Sequence, residues 1–374
     1  MGTRRRRPKT LGGLPGYLVL LVLLLLWAYQ ELRKPAPPLP EAGGAEAYFM
    51  PQEGDRAKAR LLALMASAEE SLDGAFYEFR DLQIARGLLE AKARGVRVRL
   101  YGESDYRDDF RRYLLAASLG QKEEPPRLPR ALLREVKPLA PGCEEIAGIP
   151  VCYDEREGFM HHKFLVVDQK AVWTGSVNMT WNAFARNNEN ALLLPSPTLA
   201  EGYAREFQAL FSGVKEGLGR PVAFALEGVE GVAYFSPKGG GLAQEAILRA
   251  VRGVKQEVLV AAFVLTDREI VDALLEAKGR GVEVRVVLEA RNLGDSRDEA
   301  LAQGGIPVRK DANPYTLHHK VMVLDGTQVI TGSYNFSFRA REVNNENLLV
   351  LKSPSLAEAY RKEVLRLWQA GEPL

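Results

Sequence analysis

The stretch HHKFLVVDQKAVWTGSVNMTWNAFARNNEN at residues 161–190 recurs as HHKVMVLDGTQVITGSYNFSFRAREVNNEN at residues 318–347. The two copies align without a gap, and fifteen of the thirty positions are identical. Each copy contains His-x-Lys-x4-Asp, then Gly-Ser-x-Asn, then a Glu. These residues are His161, Lys163, Asp168, Ser176, Asn178 and Glu189, and in the second copy His318, Lys320, Asp325, Ser333, Asn335 and Glu346.

Each copy has the pattern of a β-hairpin. The apolar, β-branched runs FLVVD and VMVLD end at turn residues, and AVWTGS and QVITGS resume the strand pattern. Because i and i+2 share a face of a strand, a two-residue loop at 169–170 would place Lys163 opposite Ser176. The matching register would place Lys320 opposite Ser333. The sequence therefore predicts one face of each hairpin carrying His, Lys, Ser and Asn together.

Such a face suits phosphate chemistry. Lys offers a positive charge with three donors, and Ser and Asn donate without charge. An imidazole beside them can attack phosphorus or move a proton near neutral pH. Two imidazoles suffice for a two-step displacement with one nucleophile and one acid that later acts as base. Glu189 and Glu346 could each hold a ring nitrogen and favour the imidazolium.

These motifs resemble those of the phospholipase D superfamily. The family pattern H-x-K-x4-D-x6-G-S-x-N is matched at every position in both copies, and the similarity runs from about Ala47 to the end. TGSxN followed by NxEN is similar to the small bacterial endonuclease branch and related phospholipases. The resemblance implies that one motif histidine forms a phosphohistidine while the other protonates the leaving group, without metal or cofactor. Family tendency makes His161 the nucleophile and His318 the acid.

The resemblance also assigns roles to the other motif residues. The implied catalytic set is His161, Lys163, His318, Lys320, Glu189 and Glu346. The implied phosphate-binding set is Lys163, Lys320, Ser176, Asn178, Ser333 and Asn335. For Asp168 and Asp325 we favour a structural role at the hairpin turn over catalysis. For His162 and His319, on the opposite side of the strand, we favour packing.

The duplication extends beyond the motifs. LLEAKARGVRVR at 88–99 matches LLEAKGRGVEVR at 274–285, with ten of twelve positions identical. Each half alternates strands and helices before its hairpin and ends in a helix begun by a Ser-Pro turn. This predicts an α/β fold with two similar α/β/α sandwich halves and mixed sheets. By resemblance, a pseudo-twofold axis relates the halves around one active site, so no obligate protein partner is needed.

The predicted domains follow from these repeats and from composition. Residues 1–34 form a basic segment and signal anchor, and 35–46 a Pro/Gly-rich linker. A first phospholipase D-like domain spans 47–211 and a second spans 229–374, joined by a linker at 212–228. The first half contains 29 additional residues between Arg99 and Ala147, an insertion that is either a surface lobe beside the active site or a loop extension.

Charge is distributed unevenly along the chain. The formal net charge is +2, but residues 1–34 hold seven basic residues and one acid, +6, so the remainder carries −4. This remainder lacks the broad basic surface of many nucleic-acid-binding proteins. The uncharged apolar stretch 11–29 follows basic residues and is long enough to span a bilayer. It predicts a single-pass protein of the cell membrane with the catalytic domain outside the cytoplasm, or a secreted protein if the segment is cleaved.

Export bears on the two cysteines. Cys143 and Cys152 are the only cysteines, and in an exported protein they can form a disulfide. The alternative is two buried thiols.

The sequence defines the reaction class more closely than the substrate. The leading hypothesis is a phospholipase D that hydrolyses phospholipid head groups beside the membrane. The alternatives are a tethered or exported endonuclease acting on DNA or RNA, and a phosphatidyltransferase similar to cardiolipin synthases.

Overall fold

The computed structural model describes residues 44–134 and 136–374, and its frame is two mixed nine-stranded sheets. The strands of the first half are β1 (Glu46–Met50), β2 (Ser71–Phe76), β3 (Phe79–Arg80), β4 (Arg97–Glu103), β5 (Lys137–Ala140), β6 (Cys143–Ile146), β7 (Ile149–Asp154), β8 (Lys163–Val167), β9 (Ala171–Gly175), β10 (Met179–Thr180) and β11 (Glu189–Leu194). Those of the second half are β12 (Val222–Leu226), β13 (Val229–Ser236), β14 (Glu257–Ala262), β15 (Glu283–Leu288), β16 (Val308–Lys310), β17 (Lys320–Leu324), β18 (Gln328–Gly332), β19 (Glu346–Lys352) and β20 (Glu372–Pro373).

Helices follow the same internal repeat. They are α1 (Gly54–Ala66), α2 (Leu82–Ala93), α3 (Arg107–Ser118), α4 (Trp181–Ala185), α5 (Pro197–Phe211), α6 (Gly240–Gly253), α7 (Arg268–Gly279), α8 (Asp298–Gln303), α9 (Phe338–Glu342) and α10 (Pro354–Ala370). In α5 and α10 a Ser precedes the first-turn Pro, and its hydroxyl accepts a hydrogen bond from the backbone N–H three residues on. A Ser cap with Pro at the first helical position stabilises a helix start.

The two sheets have corresponding strand orders. The first runs β1-β11-β9-β8-β2-β4-β7-β6-β5, and the second runs β12-β13-β19-β18-β17-β14-β15-β16-β20. In each, the motif hairpin lies beside a set of three parallel strands, β2-β4-β7 or β14-β15-β16. The prediction of an α/β fold with mixed sheets is therefore confirmed.

Layers of helices cover the faces of both sheets. Helices α1, α2 and α3 share one hydrophobic cluster with the first sheet, and α6 and α7 share another with the second sheet. A third cluster joins the opposite faces of both sheets and includes α5 and α10. Alternate residues of a central strand thus enter different clusters: Leu165 and Val167 pack under the outer helices, and Val166 packs between the sheets. Strands covered on both faces are apolar throughout, as FLVV and VMVL are.

The predicted hairpin register is wrong by one residue. Val167 pairs with Ala171, so the connection is the three residues 168–170, and Leu324 pairs with Gln328 in the second hairpin. The reason lies in the backbone: Asp168 and Asp325 adopt φ of 50° and 49°. Left-handed residues allow a tight three-residue connection that a two-residue loop assignment misses. Lys163 and Ser176 are therefore not opposite partners in the ladder.

Direct contacts join the halves reciprocally at the motifs. The backbone N–H of His161 donates to the carbonyl of Asn345 (2.9 Å), and that of His318 donates to the carbonyl of Asn188 (2.9 Å). Deeper in the interface, the Asn190 amide donates to Thr331 Oγ1, and the Asn347 amide donates to Thr174 Oγ1, both at 3.0 Å. The chain segment NxEN of each half is thereby fixed against the histidine segment of the other.

The described residues do not include the predicted anchor, but they do include the predicted inter-domain linker. The predicted signal anchor at 1–34 lies outside the described residues, as does most of the linker predicted at 35–46. Within residues 44–134 and 136–374 no helix is long and apolar enough to cross a membrane. The segment predicted as an inter-domain linker contains edge strand β12, which pairs with β13. The domain boundaries themselves stay predictions.

The insertion in the first half forms α3 and the edge strands β5 and β6. Cys143 on β6 lies directly opposite Cys152 on β7, and the structure joins them in a disulfide. The bond ties the edge of the insertion to the parallel part of the sheet.

Candidate active site

Two histidine–glutamate pairs cross between the halves. His161 Nδ1 lies 2.7 Å from Glu346 Oε2, and His318 Nδ1 lies 2.8 Å from Glu189 Oε2. Both carboxylates are fully buried. Each glutamate therefore holds the histidine of the opposite repeat, a pairing that the sequence did not assign.

The pairs leave the second nitrogen of each imidazole free to act. The ring centroids of His161 and His318 are 6.3 Å apart, with the planes inclined at 75°. Reacting atoms approach to about 3–3.5 Å before reaction, so a single phosphoryl group can contact both rings. The structure thus brings together the two histidines that the sequence predicted to act jointly.

Glycine at the end of each hairpin turns the chain toward the glutamates. Gly175 and Gly332 have φ of 143° and 138°, and a Cβ at either position would lie 2.2 Å from a backbone carbonyl oxygen. Only glycine fits this conformation and close approach. The next residue, Ser176, donates from its hydroxyl to Glu189 Oε2 at 2.8 Å. Ser176, predicted to bind phosphate, is placed behind the glutamate in this structure.

The remaining predicted phosphate ligands are the two lysines, Ser333 and the two asparagines. Lys163 Nζ donates to the carbonyl of His161, and Lys320 Nζ donates to that of His318, both at 2.7 Å. The hydroxyl of Ser333 accepts from the backbone N–H of Asn347 at 3.0 Å, as Ser176 does in the first repeat. Asn178 and Asn335 each have a buried amide oxygen without a hydrogen-bond partner in the described parts of the chain. Their amides therefore remain available to a ligand.

Burial lowers the pKa of both lysines. The pKa of Lys163 falls to about 8, and that of Lys320 falls to about 7, against the opposing influence of the buried glutamates. Removing an ammonium group from water disfavours its charged form. A phosphate group entering between the lysines would supply the negative charge that favours full protonation.

The two glutamates differ although their repeats are alike. Burial raises the pKa of Glu346 to about 8, with Lys163 acting to lower it. Burial acts in the same direction on Glu189, but His318 and Lys320 hold its pKa below the ordinary value. Glu189 is therefore an anion at neutral pH and supports a charge on His318.

The histidines reflect the same difference. Burial takes the pKa of His161 well below its ordinary value, and the nearby Lys163 lowers it further. Burial also lowers the pKa of His318, but there the anion of Glu189 opposes the shift. The pKa of both histidines is thus lowered, and that of His161 is lowered further than that of His318.

The motif aspartates hold the hairpins to neighbouring turns. The Asp168 carboxylate accepts hydrogen bonds from the backbone N–H groups of residues 69–71 at 2.7–2.9 Å. Asp325 accepts from those of residues 255–257 at 2.8–3.0 Å. Neither aspartate contacts a catalytic histidine among the hydrogen bonds of the described residues, which supports the structural role.

The second histidine of each motif lies in the interior. The His162 ring packs edge-on against Phe164 at 5.1 Å, and burial lowers its pKa to about 3. His319 instead makes polar contacts, with Asn190 Oδ1 at 3.1 Å and Glu363 Oε1 at 3.2 Å. Packing alone therefore describes His162 but not His319.

A cavity of about 930 Å³ opens beside His318 and Glu189. Its walls include residues outside the motifs, which the sequence reasoning missed: Arg80, Tyr113, Glu124, Trp181, Arg186 and Arg291. Tyr113 and Glu124 belong to the insertion, which therefore lies beside the active site. The repeat alignment could have singled out Arg186, because Val343 occupies the matching position in the second copy.

Aromatic side chains close the His161 side. Tyr77 lies edge-on to His161, with centroids 4.7 Å apart, and its ring also contacts Tyr106 and Phe159. In the second repeat Phe263 takes the place of Tyr77 and lies 5.0 Å from His318. The two histidines therefore face differently built walls. No cluster of three potential metal ligands from His, Cys, Asp and Glu occurs among residues 44–134 and 136–374.

Comparison with known proteins gives the family. A family model described as "Cardiolipin synthase, PLD-like domain" matches residues 61–211 and 247–368, most of the chain and both repeats. The chain belongs to the phospholipase D superfamily. The resemblance drawn from the motifs is therefore confirmed.

Individual relatives of this phospholipase D superfamily member support the reaction class. A Xenopus tropicalis protein named mitochondrial cardiolipin hydrolase is 33% identical over 218 residues, covering 55% of this chain and 90% of that protein. A Rickettsia prowazekii protein named phospholipase D is 34% identical over 128 residues, which cover 34% of this chain and 62% of the relative. The chain is a phosphodiesterase of the phospholipase D type.

A solved structure extends the likeness over both halves. Phosphatidylserine synthase of Haemophilus influenzae Rd KW20 has a TM-score of 0.61 to this chain, covering 93% of it and 91% of the synthase. At 13% identity the likeness concerns the fold alone. It agrees with a duplicated α/β architecture.

Proposed function

We propose that this protein hydrolyses phospholipids at the head-group ester through a phosphohistidine intermediate. The observation that carries the proposal is the convergence of His161 and His318, each held at Nδ1 by a buried glutamate of the other half. The reciprocal contacts also support a pseudo-twofold axis through a single site. Both half-sites belong to one chain, so catalysis needs no second subunit.

The electrostatic difference between the pairs supports a division of roles. A nucleophilic imidazole must be neutral, and burial holds the pKa of His161 well below its usual value. An acid must carry a proton; burial lowers the pKa of His318 as well, but the anionic Glu189 opposes that shift, so His318 holds a proton more readily than His161 does. We therefore propose His161 as nucleophile and His318 as general acid.

The reaction then proceeds in two displacements. His161 Nε2 attacks phosphorus as the bond from phosphorus to the head-group oxygen breaks, and His318 gives that oxygen its proton. Water, deprotonated by His318, next attacks phosphorus and breaks the bond to His161. The products are phosphatidic acid and the free head-group alcohol. Lys163 and Lys320 stabilise the charge that develops on the non-bridging oxygens.

The two unlike walls support a lipid substrate. A phospholipid phosphodiester joins an apolar diacylglycerol to a polar alcohol, whereas a nucleic acid is polar on both sides of each phosphodiester. The aromatic wall of Tyr77, Tyr106 and Phe159 beside His161 suits the first part. The cavity beside His318, whose walls carry charged side chains such as Arg186 and Arg291, suits the polar alcohol. From the sequence we further propose that the N-terminal segment anchors the enzyme to the membrane.

One panel of substrates tests the proposal. Residues 35–374 are assayed on phosphatidylcholine, phosphatidylglycerol, single-stranded DNA and duplex DNA, with His161→Ala and His318→Ala as controls. Head-group release that both substitutions abolish is the expected result. Cleavage of DNA without head-group release would instead establish the endonuclease alternative. Transfer to an added alcohol in place of hydrolysis would establish a phosphatidyltransferase.

A further inference from the structure

The cavity beside His318 has a cationic group that no acidic side chain neutralises. Of its arginines, Arg80 pairs with Glu78, and Arg291 pairs with Glu289 at 2.5 Å. Arg186 makes no ion pair with any of the residues that the structure describes, 44–134 and 136–374. An exposed surface arginine commonly lacks a partner, but this one lies in the wall of the catalytic cavity.

Arg186 is held in place by two aromatic rings instead. Its guanidinium carbon lies 4.5 Å from the ring centroid of Trp181 and 4.8 Å from that of Tyr315. Both contacts have the geometry of cation–π interactions. They fix the plane of the guanidinium while leaving its N–H groups without carboxylate partners. A planar arginine of this kind can bind a carboxylate or phosphate through two parallel hydrogen bonds.

One contact from the other half and one local contact also fix the backbone of Arg186. Its carbonyl accepts a hydrogen bond from the side-chain amide of Asn313 at 2.9 Å, and its N–H donates to the carbonyl of Asn182 at 3.0 Å. These bonds use main-chain atoms only. A side-chain substitution at this position therefore leaves the backbone contacts in place.

The internal repeat shows that this arrangement is confined to one side of the site. In the gapless alignment of the two motif regions, Val343 corresponds to Arg186 and Gly158 corresponds to Tyr315. At these two aligned positions the His161 side therefore has neither the arginine nor one of its two aromatic supports. The motif residues serve both histidines alike, whereas Arg186 serves only the cavity at His318.

We propose that Arg186 binds an anionic group on the leaving alcohol and so makes the enzyme prefer phospholipids whose head group carries a carboxylate or a second phosphate. The inference rests on the phospholipid hydrolysis proposed above, with the head group on the His318 side. A cavity of about 930 Å³ is large enough for such a head group. The bound anion would face a preformed cation, and the head-group oxygen would face His318.

Matched pairs of lipids test the preference. Short-chain phosphatidylserine and phosphatidylethanolamine differ by one carboxylate, and phosphatidylglycerol phosphate and phosphatidylglycerol differ by one phosphate. The measurement is the ratio of kcat/KM within each pair. For wild type we expect the anionic member of at least one pair to be favoured, and for Arg186→Gln we expect that ratio to fall roughly 10- to 100-fold, the usual range for a lost charged hydrogen bond. The pair that responds tells a carboxylate from a phosphate ligand.

Two further variants make the result specific. Arg186→Lys keeps the charge without the planar fork, and we expect it to retain part of the preference. Arg339→Gln removes a comparable arginine on the other side, where it lies 5.5 Å from the Phe159 ring, and we expect both ratios to stay at the wild-type value. If Arg186→Gln leaves both ratios unchanged while the lipids are hydrolysed, the role of Arg186 is refuted and the proposed function stands. If wild type hydrolyses none of the four lipids, the proposed function itself fails, and this inference fails with it.

Discussion

Replacing Glu189 with Gln separates the roles of the two histidines. The substitution preserves size but removes the anion that lies 2.8 Å from His318 Nδ1. A hydrogen bond to a charged group contributes about 1.5–3 kcal/mol, and 1.36 kcal/mol corresponds to about one pKa unit. The pKa of the His318 imidazolium should therefore fall by about 1–2 units.

The sign of the effect on rate follows from the charge. Loss of a neighbouring anion disfavours the protonated ring, so less of the general acid is available at neutral pH. The alkaline limb of the pH–rate profile should move to lower pH by about 1–2 units. Expulsion of an alkoxide at pH 7 should slow by roughly 10- to 100-fold.

The assay compares two leaving groups in the first turnover. Ethanolamine must be protonated as it departs, whereas p-nitrophenol leaves as a stable phenolate without help from an acid. We expect Glu189→Gln to slow release of ethanolamine from phosphatidylethanolamine while changing the p-nitrophenolate burst from phosphatidyl-p-nitrophenol much less. Glu346→Gln is the matched control, because it alters the equivalent contact to His161, at 2.7 Å. It should slow both substrates by similar factors.

Two outcomes would refute this reasoning. Equal slowing of both leaving groups by Glu189→Gln would mean that His318 is not the acid of the first step. Leaving-group dependence in Glu346→Gln instead would mean that the histidines have the opposite roles. Mapping the trapped phosphohistidine by peptide mass spectrometry gives an independent reading of the same assignment.

The remaining predictions concern stability and cofactor need. Asp168→Asn should lower the free energy of unfolding by about 1–3 kcal/mol in urea denaturation, because a carboxylate that accepts three backbone N–H groups becomes neutral. Asp325→Asn, at a more exposed turn, should lower it by less. Equal losses of stability in the two variants would contradict this difference. The pKa of Asp325 is lowered mainly by its backbone hydrogen bonds against burial, so its contribution should be present above the unfolded pKa, about 3.9, and be lost as pH falls through the lower folded value. Cys143→Ser should cost about 2–3 kcal/mol, the chain-entropy value for a loop of this size, and a thermal midpoint unchanged by the substitution would refute it. Activity should survive dialysis against a chelator, and a strict requirement for a divalent ion would contradict the two-histidine chemistry.

The residues of the site were readable from the sequence because their chemistry and spacing repeat. His, Lys and Glu at fixed offsets in both copies restrict the reaction to a few classes before any geometry is known. The type of the hairpin turn could not be predicted from the sequence, because Asp168 adopts a left-handed conformation that its three side-chain hydrogen bonds stabilise. Turn type depended on contacts with residues about a hundred positions away in the chain.

The partner of each histidine was also beyond the sequence. Glu189 follows His161 closely in the chain, yet it binds His318. That choice depends on the two halves crossing at their NxEN segments, which is a property of tertiary packing. The residues of the cavity wall could not be predicted for a related reason. Arg186 and Tyr315 are far apart in the chain and come into contact only in the folded protein.

Duplication supplies two equivalent catalytic sets, but a two-step displacement needs two unequal ones. The difference must come from neighbours that the repeats do not share. Beneath the second motif, His319 contacts Glu363, whose pKa is lowered to about 2 by Arg366 and His319 despite its burial. Beneath the first, the matching Glu206 turns instead to backbone N–H groups at residues 218 and 219, and burial raises its pKa to about 7. An ion-paired carboxylate, Glu363 with Arg366, thus lies beneath the second motif where Glu206 lies beneath the first, so the asymmetry extends from the cavity wall to the layer beneath the strands.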